Sequence, residues 1–197
     1  MRDKYGVSHD SYCYPDSEVL QNKLNIQDYD NLAEAELAFT ATRYREYSST
    51  ITSLQDFNLK HLQSLHKQLF QDIYHWAGDI RTVDISKGDT RFCTCSRIEA
   101  EANKQFSRIV LLERFDSKHE LIAEITDIFC ELNIIHPFRE GNGRTQRFFF
   151  EELFFYFELS VNWPDISKDE WVNANIQGYL GDLRSLNQIL SDATSSI

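Results

Sequence analysis

Residues 136–147 form a polar run between two helix-length apolar stretches. Any fold of this chain must bury both stretches and leave the run at their junction. Before the run, Leu121, Ile125, Ile128, Leu132 and Ile135 recur at spacings of 4, 3, 4 and 3, one face of a helix over 118–135. Ser117 and Glu120 fit a capping box at its start. After the run, Phe148 to Phe157 holds six Phe and one Tyr and is apolar on nearly all sides. Such a helix is expected at the centre of a core rather than as an aromatic binding surface. Pro137 disfavours helical geometry at His136, so the chain turns there. Phe138 is the residue expected to anchor the loop.

The same periodicity predicts helices through most of the chain. They cover 28–48, with Leu32, Ala35 and Phe39 on one face, and 58–74, capped by Asn58 and carrying Leu59, Leu62, Leu65, Leu69 and Ile73. Further helices follow over 97–114 after Ser96, about 167–180 after Ser167, and 182–192 after Asp182. Residues 83–95 differ. They alternate and are β-branched around Lys87-Gly88-Asp89, which reads as a β-hairpin turning at Gly88. On its residues alone it is either a surface loop or an edge to which an extended segment adds as a strand.

The fold class is therefore mainly α. A chain of 197 residues, 42% apolar and 26% charged, holds one full core or at most two small ones. No apolar run reaches membrane-spanning length and the N-terminus is polar, so a cytoplasmic, non-membrane protein is expected. Cys13, Cys93, Cys95 and Cys130 are irregularly spaced and suit reduced structural thiols. The net charge of −11 argues against tracking a nucleic-acid backbone. An anionic nucleotide would need local cations, and the run offers Arg139, Arg144 and Arg147.

The residues of the run suit a triphosphate. Gly141 and Gly143, around Asn142, allow close backbone approach with N–H groups turned inward. A helix opening at Arg144 would add its positive end. Arg144 and Arg147, three apart, can grip anionic oxygens together. Glu140 would repel phosphates unless Mg²⁺ sits between them. His136 is left to accept a proton near neutral pH. His9, His61, His66, His75 and His119 have no such neighbours, and no chemistry is expected of them.

The run resembles the signature of the Fic family, His-x-Phe-x-(Asp/Glu)-Gly-Asn-Gly-Arg-x-x-Arg. His136, Phe138, Glu140, Gly141, Asn142, Gly143, Arg144 and Arg147 fill every defined position. The resemblance implies one Fic domain over 1–197, with its core at about 58–190 and an N-terminal helical extension at about 10–50. The Fic fold is a helical bundle around the helix-loop-helix signature, with one β-hairpin flap. The implied activity is transfer of AMP from ATP to a Tyr, Ser or Thr hydroxyl of a target protein. His136 would be the base and Glu140 the Mg²⁺ ligand. The backbone from Gly141 to Gly143 would hold the α-phosphate, Arg144 the β-phosphate and Arg147 the γ-phosphate. The flap at Ile85, Ser86, Lys87, Gly88 and Asp89 would dock the target, with Trp76-Ala77-Gly78 and Arg81 leading into it.

Doc-like kinases of the family carry lysine where Gly143 stands, so AMP transfer is expected over phosphate transfer. Another nucleotide or phosphocholine donor, or a non-catalytic nucleotide-binding module, are the alternatives. The resemblance further implies a toxin restrained by a small antitoxin, with a type II topoisomerase subunit as a target by analogy. In this family a helix bearing (Ser/Thr)-x-x-x-Glu-(Gly/Asn) can obstruct the second signature arginine. The nearest match, Thr42 to Glu46, is followed by Tyr47. The inhibitory glutamate is therefore expected in trans, and Glu46 on a solvated face beside Arg43 and Arg45.

Overall fold

A computed structural model describes residues 11–88 and 90–197. Its elements run in chain order α1 (Tyr29–Arg45), α2 (Leu59–Phe70), β1 (Ser86–Lys87), β2 (Thr90–Arg91), α3 (Ile98–Ile109), α4 (Lys118–Ile135), α5 (Asn142–Tyr156), β3 (Leu159–Val161), α6 (Lys168–Tyr179), α7 (Arg184–Ala193) and β4 (Thr194–Ser196). The expected mainly helical class with one flap hairpin is what the chain adopts.

Helix α4 lies at the centre and packs against α3, α5, α6 and α7, while α5 also meets α2. Its 4-3-4-3 stripe is the reason. Ile125 and Ile128 are fully buried, and Leu121, Leu132 and Ile135 nearly so. The aromatic helix α5 supplies Phe148, Phe149, Phe150, Leu153 and Phe154 to the same core. Each such side chain contributes roughly 1.5–3 kcal/mol by leaving water. Phe155 departs from the expected all-round burial and is 68% exposed.

Several caps act as the sequence suggests. Asp28, Asn58, Ser117 and Ser167 each accept an N–H from the third residue beyond, but the reciprocal capping box expected at Ser117 with Glu120 forms instead at Ser167 with Glu170. Elsewhere boundaries shift. The 97–114 segment is α3 followed by a separate 3₁₀ turn at Leu112–Arg114, and Arg97 rather than Ser96 precedes the helix. Asp182 binds Arg184 just ahead of α7 instead of capping it.

Two expectations need larger correction. In α1 the buried stripe is Leu32, Glu36 and Thr40, whereas Ala35 is half-buried and Phe39 exposed. A buried carboxylate on this face has specific partners, described below. The hairpin ladder is also shorter than 83–95, with Ser86 opposite Arg91 and Lys87 opposite Thr90. A second antiparallel pair, β3 with β4, was not evident from the sequence. All four cysteines are free thiols. Among the described residues no helix is long and apolar enough to cross a membrane.

Candidate active site

The signature begins where α4 ends. His136 takes a left-handed conformation, φ 49° and ψ 65°, and still donates its N–H to the Leu132 carbonyl. The following proline denies it helical geometry, and the chain bends there. Buried Arg81 holds the bend. Its Nε donates to the His136 carbonyl at 2.8 Å, and its other nitrogens reach Ile135, Val83 and Cys93 carbonyls. One guanidinium thus ties the signature to the base of the hairpin. Burial pushes its pKa down.

The imidazole of His136 lies 3.0 Å from the Asn133 carbonyl through Nδ1. A carbonyl only accepts, so Nδ1 carries the proton and Nε2 is the basic nitrogen. Phe92 stacks on the same ring, with centroids 3.9 Å apart and planes at 14°. Ile85 and Phe92 are both buried and form a small apolar cluster with Val83 beneath the hairpin. Ile85, expected among the docking residues of the flap, turns inward and packs with Phe92. Ser86, Lys87 and Gly88 occupy the flap, with Gly88 at φ 57° in the turn. Asp89 lies outside the described residues.

Phe138 anchors the loop as expected, at 1% exposure, stacked on His66 at 3.9 Å. Buried Asn142 closes the loop on itself. Its Oδ1 accepts from Phe138 N–H at 2.8 Å and its Nδ2 donates to Phe138 O at 2.7 Å. Helix α5 opens at Asn142, two residues earlier than the sequence suggested, because left-handed Gly141 (φ 79°) already serves as the N-cap. The first helical hydrogen bond is Thr145 N–H to Gly141 O at 3.0 Å. The N–H groups of Asn142, Gly143 and Arg144 therefore have no helical acceptor, and the turn before them makes a cradle for an anion.

Gly141 is required for a second reason. A Cβ there would lie 2.3 Å from Phe70 Cζ. Gly143 is exposed, and a Cβ on it would meet only Arg147 Nη1 at 3.8 Å.

His66, of which no chemistry was expected, holds this loop from below. Gly78 N–H donates to its Nδ1 at 2.8 Å, which leaves Nε2–H to donate to the Glu140 carbonyl at 3.0 Å. Burial pushes its pKa down to about 4. No spacing rule marks such a histidine in sequence, since its partners are backbone atoms 12 and 74 residues away.

The cations divide. Arg147 faces the cleft, its guanidinium 6.0 Å from the Trp171 ring centroid, and burial pushes its pKa down. Arg144 lies over Phe70 at 4.7 Å and pairs with Glu36 of α1. Arg139, expected as a third cation, is 2% exposed and lines a neighbouring cavity instead. Burial pushes its pKa down to about 10. Glu140 accepts Gly141 N–H at 3.0 Å and lies 3.8 Å from Arg144. Among the described residues no three metal-ligating side chains converge. One carboxylate beside an anion cradle is nevertheless what Mg²⁺ uses when phosphates complete its shell, so Glu140 fits that role.

Glu46, the weak internal-inhibitor match, pairs with Arg43 at 3.0 Å, and Arg43 in turn binds Asp72. Among the described residues its ion pair is with Arg43 and not with Arg147.

These groups line a cleft of about 850 Å³ between the flap, the signature and α6. His136, Glu140, Gly141, Asn142, Gly143, Arg144 and Arg147 share one wall, Lys87, Gly88, Thr90 and Phe92 another. The third wall, Trp171, Val172, Asn175, Ile176 and Tyr179 of α6, was not foreseen. It carries no charge pattern that sequence reading could use.

The Fic/DOC family model matches residues 56–154, a span that contains the whole signature and flap. The chain belongs to the Fic/DOC family. It is 38% identical over 201 residues to the probable protein adenylyltransferase Fic of Escherichia coli K12, covering 99% of this chain and 97% of that one. It is 37% identical over 182 residues to protein adenylyltransferase VbhT of Bartonella schoenbuchensis, covering 91% of this chain and 38% of VbhT. The Fic domain of a Bartonella quintana effector with bound ADP superposes with a TM-score of 0.84 at 25% identity, covering 94% of each chain. BepC of Bartonella tribocorum, with bound AMPPNP, matches with a TM-score of 0.84 over 94% of this chain and 97% of that one. At 23% identity that likeness speaks for the Fic fold alone.

Proposed function

We propose that this chain is a protein adenylyltransferase that moves AMP from ATP to a Tyr, Ser or Thr hydroxyl of another protein. One observation carries the reading: a histidine with a basic Nε2 and a helix N-terminus with unsatisfied N–H groups open into the same cleft. The adenine would lie against the apolar and amide wall of α6. The α-phosphate would rest on the N–H groups of Asn142 and Gly143, where charge develops during transfer. Arg144 would hold the β-phosphate and Arg147 the γ-phosphate. The hydroxyl oxygen bonds to the α-phosphorus, its proton goes to His136 Nε2, and the bond to the β-phosphate oxygen breaks to release pyrophosphate. General base action of this kind contributes about 10²–10⁴ in rate. Glu140 would hold Mg²⁺, which neutralises charge on the α- and β-phosphates when bound.

Gly143 favours AMP transfer over phosphate transfer. It leaves open space beside Arg147, where a long cationic side chain would compete for the phosphates. We further propose that the chain acts in the cytoplasm as one Fic domain. A small partner would restrain it by supplying a glutamate to Arg147 in trans; the pairing of Glu46 with Arg43 supports an external source. A type II topoisomerase subunit is the first target to try.

The test is a cell lysate treated with Mg²⁺ and ATP labelled at the α-phosphate. Wild type should transfer label to a protein band, and His136→Ala should not, although it still binds ATP. Equal labelling by a folded His136→Ala variant would overturn the reading.

A further inference from the structure

Arg144 is held from outside the signature by a buried polar cluster. Glu36, 8% exposed, sits in the middle of the inward stripe of α1. Tyr74 donates its hydroxyl to one oxygen of Glu36, and Arg144 Nη2 donates to the other. Burial beside Glu36 pushes the Tyr74 pKa up, so it remains a donor. The Phe70 ring supports the guanidinium at 4.7 Å. Glu36 and Tyr74 line the neighbouring cavity of about 410 Å³ and not the cleft, whereas Arg144 lines both.

We propose that Glu36, itself held by Tyr74, is a positioning residue that presents Arg144 to the phosphate chain of the nucleotide. The inference rests on the nucleotide reading above. An arginine free to sample its rotamers loses that freedom when it grips a ligand. Here the ordering is done in advance by Glu36, itself anchored by Tyr74, and by the Phe70 ring. Only Nη2 of Arg144 is spent on Glu36, so the remaining guanidinium donors can serve an anion. An inhibitory carboxylate would have to lie where phosphate goes. Glu36 is tied to Tyr74 behind the cleft wall and cannot follow.

Calorimetry on the full chain with ADP and with AMP tests this, because only ADP carries a β-phosphate. Glu36→Ala should weaken ADP binding about tenfold, the effect of one charge-assisted hydrogen bond, and leave AMP binding unchanged. Glu36→Gln, which keeps an acceptor oxygen, should recover part of the loss. Glu36→Ala combined with Arg144→Ala should be no weaker than Arg144→Ala alone. Equal losses for AMP and ADP would make Glu36 a support of the fold and overturn the inference. Tighter ADP binding would make it a brake and also overturn it. A folded wild-type chain that binds neither nucleotide overturns the nucleotide reading itself.

Discussion

Two residues fix the geometry of the signature loop, Gly141 within it and His66 on α2 beneath it. At Gly141 a side chain would need both a left-handed backbone and the space of the Phe70 ring. Gly141→Ala should lower stability by at least 1–2 kcal/mol from the backbone alone, measured by urea denaturation, and should abolish nucleotide binding. A stable, binding-competent variant would mean the loop is softer than its contacts imply. His66 is neutral in the folded chain, with its pKa down at about 4 against an ordinary 6.5. Its contribution is fully present above pH 6.5. It is lost as pH falls towards 4, because the unfolded chain binds the proton first. The loss should reach on the order of 3 kcal/mol at pH 4. Comparing the pH dependence of stability for wild type and His66→Gln isolates it, and parallel curves would contradict it. The sequence named His136, Glu140 and the glycines because their residue types declare their chemistry. It gave no access to His66 or Glu36, whose roles come from long-range partners.

Among the elements, the flap and α1 separate what pattern reading can and cannot reach. Hairpin alternation was legible, but not which residues face in. Phe92 N–H donates to Ile85 O at 3.2 Å, so those two form a hydrogen-bonded pair. Pairing alternates along an antiparallel ladder. Ser86, opposite Arg91, therefore turns its N–H away from β2 and towards the outer edge, while Lys87 faces Thr90. Proline at Ser86 is thus the substitution that removes an outward donor, whereas at Ile85 or Lys87 it would damage the hairpin. If targets dock by strand addition, Ser86→Pro should reduce target labelling roughly three- to tenfold, the worth of one ladder hydrogen bond. Autolabelling should change less, and equal loss of both would point to a damaged fold. In α1 the apolar pattern suggested Leu32, Ala35 and Phe39, yet the buried stripe runs through Glu36. Hydrophobic periodicity has no means of marking a carboxylate that is buried because an arginine from a distant helix meets it.

Over the whole molecule, the cleft draws on parts of the chain far apart in sequence. The helical order and the central α4–α5 unit followed from periodicity, since local spacing and core burial agree there. The assembly did not: Trp171 and Asn175 arrive from α6 to line the cleft, and Glu36 of α1 holds Arg144 from behind its wall, all three outside the span of the family match. The acidic chain, at −11, must concentrate its few cations where an anion binds. Arg144 and Arg147 on one wall meet that need. The most direct measurement compares ATP labelled at the α-phosphate with ATP labelled at the γ-phosphate, using wild-type chain, Mg²⁺ and lysate. Protein-bound label from the α-position alone, with the γ-label released as pyrophosphate, is the outcome AMP transfer requires. Protein-bound γ-label would make the chain a kinase, and label from neither position would make it a nucleotide-binding module without transfer activity.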